Sequence, residues 1–132
     1  MENLFIESQS RYNFDQTMEK LSAAILSGGW NISVTLDLHA SLSKSGIDVL
    51  PVKVIELCNP KLAFRILRNS ETRIYSGMLP CKISIYEKEN GKTCISILNT
   101  GSLASQIGGE VEAVMVEAFS QAEGFIYQVI EK

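Results

Sequence analysis

Cys81-Lys82-Ile83-Ser84-Ile85-Tyr86-Glu87-Lys88-Glu89-Asn90-Gly91-Lys92-Thr93-Cys94-Ile95-Ser96-Ile97-Leu98 is the stretch that decides the fold. Apolar residues alternate with polar ones on both sides of Asn90-Gly91, which is the period of a strand with one buried face. Cys81 to Glu87 and Lys92 to Leu98 therefore read as a β-hairpin. The loop length sets which face is buried. A two-residue Asn90-Gly91 loop would pair Lys88 with Thr93 and set Ile85 opposite Ser96. A three-residue Glu89-Asn90-Gly91 loop sets Ile85 opposite Ile95 and Ile83 opposite Ile97. Only the second puts the isoleucines on one face, because a one-residue slip turns every side chain over. The three-residue loop is therefore expected, with Gly91 in the left-handed position of a bulge.

Upstream of the hairpin, Val49 to Cys58 reads as a strand with Val52, Val54, Ile55 and Leu57 on both faces, and Pro51 belongs at its start. Asn59-Pro60 opens a helix: asparagine caps it, and proline takes the first position, where no N–H is needed. Asn69 to Gly77 is the least patterned stretch and reads as a surface loop. Earlier still, Trp30, Ile32, Val34, Leu36 and Leu38 alternate with polar residues and predict a strand with one buried face. Ala40 to Ser45 fits a single helical turn or a loop. Leu4 to Tyr12 reads as the first strand. Asn13, with Gln16 at the capping-box spacing, starts a helix that Gly28-Gly29 ends. Downstream, Gly109 to Ile130 carries a broad apolar helical face. The order is that of an α+β fold, β-α-β(4)-α, with a mainly antiparallel sheet and helices on one face. The 132 residues suit one domain over 1–132, with enough core to need no disulfide or metal.

Charge narrows the partners. Twelve basic residues are scattered among fifteen acidic ones, for a net charge of -3. Nucleic acid and anionic membrane surfaces both select for clustered Lys and Arg, so neither is an expected partner. No apolar run approaches the roughly 20 residues that span a bilayer. The start, Met1-Glu2-Asn3-Leu4-Phe5-Ile6-Glu7, has acids where a signal peptide would have a basic patch and a long apolar stretch. A cytoplasmic location is expected, with Cys58, Cys81 and Cys94 reduced.

Three marks carry a family resemblance: Phe14-x-x-Thr17-x-x-x-Leu21, then Leu57-Cys58-Asn59-Pro60, then Leu79-Pro80-Cys81 leading into a strand. In this order and spacing the chain resembles the domain-of-unknown-function family three-hundred-and-two over nearly its whole length. The resemblance implies a β-α-β(4)-α fold, often dimeric and found largely in bacteria and archaea. It implies no activity.

Candidate chemistry centres on Cys58, Asn59 and Cys81. A thiol near a helix N-terminus is drawn toward the thiolate. In an antiparallel arrangement, which the element order favours, Cys58 and Cys81 fall at one edge of the sheet, where free N–H groups would favour a small anionic ligand; a parallel crossover, the rival that the intervening helix allows, would place them at opposite edges. The competing reading is that both are small buried hydrophobes. His39, two residues from Asp37, is the single histidine and could act as a base or ligand. It has no metal-binding spacing beside it, and no metal or cofactor is expected. Gly101-Ser102 and Gly108-Gly109 match no phosphate-binding pattern and read as a flexible connection before the last helix. The leading functional expectation is a non-catalytic small-ligand-binding or regulatory module acting as a homodimer, the second subunit covering part of the last helix. A thiol-based redox enzyme or sensor using Cys58 and Cys81 is one alternative. A structural protein–protein interaction module is the other.

Overall fold

The hairpin takes the three-residue loop. In the computed structural model, which describes residues 4–130, strands β4 (Cys81–Glu87) and β5 (Thr93–Leu98) pair Ile83 with Ile97 and Ile85 with Ile95. The turn closes through Lys88 N–H donating to the Lys92 carbonyl at 2.9 Å, and Gly91 adopts φ +82°. Met1, Glu2 and Asn3, the first three residues of the start read above, lie outside the described residues.

Around this pair stand β1 (Phe5–Gln9), β2 (Asn31–Asp37) and β3 (Val52–Cys58), giving one five-stranded antiparallel sheet in the order β1-β5-β4-β3-β2. The helices are α1 (Phe14–Ser27), α2 (Leu38–Ser43), α3 (Pro60–Leu67), α4 (Thr100–Ala104) and α5 (Gly109–Tyr127), with a 3-10 segment at Arg73–Met78. Ile83, Ile85, Ile95 and Ile97 face α1 and α5, each at most 4% exposed. The capping box at Asn13 and Gln16 forms, with Gln16 N–H donating to Asn13 Oδ1 at 2.8 Å.

Several boundaries shift for local reasons. The first strand stops at Gln9, because the Ser10 hydroxyl bonds Thr17 Oγ1 at 2.6 Å and turns the chain into the α1 cap. The strand read from Val49 begins at Val52, after Pro51. Ala40 to Ser45 is largely helical, in α2. The supposed flexible connection is in part a helix, α4, capped by Asn99 accepting from Ser102 N–H at 3.0 Å. Gly101 lets α4 lie close on α5: a Cβ there would stand 3.1 Å from Val116 Cα.

Two larger departures concern exposed surface. In β2, Ile32 pairs with Leu57, but Val34 pairs with Glu56, so Ser33 is an extra residue against the partner strand. That bulge turns the alternation over. Trp30 is buried at 2% exposure, while Val34 and Leu36 emerge on the opposite, helix-free face at 40% each. The strand then ends at Asp37, leaving Leu38 to α2. The apolar face of α5 departs the other way. Met115 and Ile126, read as surface for a second subunit, are buried within the chain, where α5 meets α1, α3, α4 and β4.

Gly28 has an ordinary φ of -78°, and Gly29 takes the left-handed turn at φ +84°. Gly28 is glycine for space: a Cβ there would stand 2.3 Å from Phe125 Cε1, on the ring that meets Trp30 edge-on with centroids 5.7 Å apart. Gly28→Ala is expected to cost about 1–3 kcal/mol in urea unfolding, the range of an overpacked core. The loss should shrink in a Phe125→Leu background. An equal loss in both backgrounds would remove the ring as its cause.

Candidate functional site

The antiparallel pairing of β3 and β4 brings the motif cysteines together. Leu57 and Cys81 are Cα partners, so Cys58 and Cys81 share one end of the sheet beside the start of α3. Asn59 is there too, as the α3 cap. His39 is not. It lies on α2, beyond the far end of β2, roughly 20 Å along the strand from the cysteines, with its Nδ1 2.6 Å from the Val49 carbonyl. The expected continuation of the strand to place Asp37 beside it does not occur, because Asp37 caps α2 by accepting from Ala40 N–H at 2.9 Å.

The first turn of α3 has its donors engaged. Pro60 has no N–H. Lys61 and Leu62 donate to Asn59 Oδ1 at 3.1 and 3.3 Å, and Ala63 donates to the Asn59 carbonyl at 3.0 Å. The space among Trp30, Cys58, Leu62, Cys81 and Val114 is about 10 Å³, close to the least that admits one water. Burial raises the Cys58 thiol and pushes Cys81 up to about 11, with the nearby Cys58 adding to it. Both thiols stay protonated at neutral pH. This end of the sheet has the expected geometry, while its volume, donors and thiol chemistry favour packing.

A larger space opens a few ångströms away, around Cys81 and Pro80, which line both. The β4–β5 ladder stops at Ile83–Ile97. Beyond that point β4 continues with β3 to Leu57–Cys81, and β5 continues with β1 to Leu98–Phe5. The two central strands thus part as a fork. A cavity of about 360 Å³ occupies the fork, within the range of roughly 300–1,000 Å³ typical of small-ligand pockets. Its walls come from both sides of the sheet. Phe5, Val54, Lys82, Ser84, Ser96 and Leu98 belong to the helix-free face. Ile97, Thr100, Leu103, Phe119 and Met78 belong to the helix side. The sequence reading missed this site because it followed only the isoleucine face of the hairpin and gave Lys82, Ser84 and Ser96 no role. The signal available was their shared parity on the two strands.

Next to the cavity, Glu7 of β1 accepts from the Tyr86 hydroxyl and, at 2.9 Å, from Lys88 Nζ. These donors lower the Glu7 carboxyl. Tyr86 rises to about 12, first through burial and then through its bond to the carboxylate, while the Ser96 hydroxyl works in the opposite direction. Among the described residues, no cluster of three or more His, Cys, Asp or Glu side chains could hold a metal ion.

The thiol chemistry gives a direct check. In the folded protein Cys81 and Cys94, both buried, are expected to react with a disulfide reagent at pH 7.4 at least tenfold more slowly than in urea, in proportion to the thiolate fraction and access. Rapid labelling of folded Cys81 would contradict its protonated, enclosed state.

No helix among the described residues is long and apolar enough to cross a membrane. No curated protein matches the chain. Among solved structures, the chain is similar to an uncharacterised conserved DUF302 protein from Bacillus stearothermophilus. The TM-score is 0.87 at 20% identity, covering 97% of this chain and 99% of that one, which is a likeness of fold. The family model described as "Domain of unknown function DUF302" matches residues 6–131. With the five-stranded antiparallel sheet and its helices, that match over almost the whole sequence places the chain in the DUF302 family.

Proposed function

We propose that the protein is a non-catalytic small-ligand-binding module that acts as a homodimer. The observation that carries this reading is the fork cavity, an apolar-walled space of ligand size set in the sheet itself. Its polar groups are few: Lys82, Ser84, Ser96 and Thr100. Such a lining suits recognition, in which apolar contact supplies affinity and a few polar groups set orientation. Among the described residues, no hydrogen bond joins the Cys81 thiol or the Ser84 hydroxyl to Lys82, the one basic side chain of the lining, as an activated nucleophile would need. The protonated state of Cys58 and Cys81 weighs against the thiol-based alternative.

The homodimer draws its support from the helix-free face. Val34 and Leu36 stand exposed on an edge strand, and Leu42, Ile47 and Leu50, in the segment between that strand and β3, are exposed as well. An edge strand with an apolar flank is a template for pairing unless something covers it. A second copy docked there would lie beside the cavity, since Val54 pairs with Leu36 and also lines the cavity.

Sedimentation and native mass spectrometry test both halves. The wild-type protein is expected to sediment as a dimer at micromolar concentration and to retain a small molecule through gentle purification. Val34→Lys with Leu36→Lys is expected to give a folded monomer, and Leu103→Trp a folded protein that retains nothing. A wild-type monomer would defeat the dimer. Retention of the same small molecule by wild type and Leu103→Trp, or of none by wild type, would defeat the ligand site.

A further inference from the structure

The fork cavity carries a statement about ligand chemistry, resting on the reading of that cavity as a binding site. Its one charged lining residue is Lys82. Among the described residues the Lys82 ammonium makes no ion pair. Its cross-strand neighbour Glu56 faces the same side but does not line the cavity. Lys82 and Ser84 are two apart on β4, so their side chains leave the same face, and Ser96 lies directly opposite Ser84 on β5. The donors at the mouth are therefore the ammonium and the paired Ser84 and Ser96 hydroxyls, Ser84 being the one on the strand of Lys82. The helix-side walls offer apolar surface, Phe119, Leu103 and Met78 among them.

We propose that the cavity binds a monocarboxylate with an apolar body, its carboxylate received by Lys82 and Ser84 on the open face and its apolar part seated toward Phe119, Leu103 and Met78. One cation matches one negative charge. A phosphate dianion would call for several donors and a second cation, which this wall lacks. A cationic ligand would meet Lys82 unfavourably, and a purely apolar one would leave the exposed ammonium at the mouth without a contact of its own. The lysine stem can lie along the apolar wall while its head meets the carboxylate.

The test compares decanoate with 1-decanol, which share a chain length and differ in head group. Binding is followed by amide chemical shifts and calorimetry on the full chain below the micelle concentration. Wild-type protein is expected to bind decanoate at least tenfold more tightly than decanol, with shifts clustered at β4, the end of β5, and α4. Lys82→Met, which keeps the stem and removes the charge, should abolish that preference while leaving decanol binding within about twofold, and Lys82→Arg should keep the preference. Equal binding of both compounds to wild type, or a preference that survives in Lys82→Met, overturns the carboxylate assignment and leaves the cavity reading standing. Absence of binding by either compound, or shifts confined to β2, overturns the cavity reading itself.

Discussion

The pairing of Ile83 with Ile97 and Ile85 with Ile95 is the constraint on which the rest of the structure depends. It places four branched side chains on one face of the two central strands, each at most 4% exposed. Burying an isoleucine is worth about 1.5–3 kcal/mol, so the register is held firmly. With that face fixed, the helices have one place to go. α1 brings Leu21 and Ile25 onto it, α5 brings Val114, Met115 and Ala118, and α3 closes the end with Leu62 and Ile66. The apolar breadth of α5 follows from this, because it meets the sheet and three helices at once.

The same constraint explains what is left over. Every side chain of opposite parity on β4 and β5 is sent to the helix-free face, including Lys82, Ser84 and Ser96. Two irregularities then shape that face. The extra residue at Ser33 delivers Val34 and Leu36 to it. The early end of the β4–β5 ladder opens the fork, so that residues of both faces line one cavity. Function is therefore sought on the side of the sheet that the core does not occupy. The cysteine end was attractive in sequence because a helix cap and two thiols coincide there. It is filled by Trp30, Leu62 and Val114, and its N–H groups are already held by Asn59.

The fold was legible wherever a local signal and the core agreed. The isoleucine alternation forecast the hairpin register to the residue, and Asn13, Asn59 and Pro60 marked helix starts that formed where expected. The reading failed where one local residue overrode a pattern. Nothing in Asn31-Ile32-Ser33-Val34 announces a bulge, since uninterrupted alternation is what a regular strand also shows. α4 was legible in principle, with Asn99 as its cap, but Gly101 argued against a helix until its contact with Val116 supplied a reason for it. The candidate site was half legible. Asn59 with the two cysteines converged as forecast, and His39 did not. The cavity depends on where a ladder stops, a long-range property that no short motif encodes.

The account turns on the fork being a real, apolar-walled space. Xenon enters apolar cavities without a polar partner. A crystal of the wild-type protein under xenon pressure is expected to show a xenon atom between Phe119, Leu103 and the Ile97 end of β5, and none beside Cys58. A fork closed by Phe119 and Leu103 packed against Val54, with xenon absent or bound only at the cysteines, would contradict it.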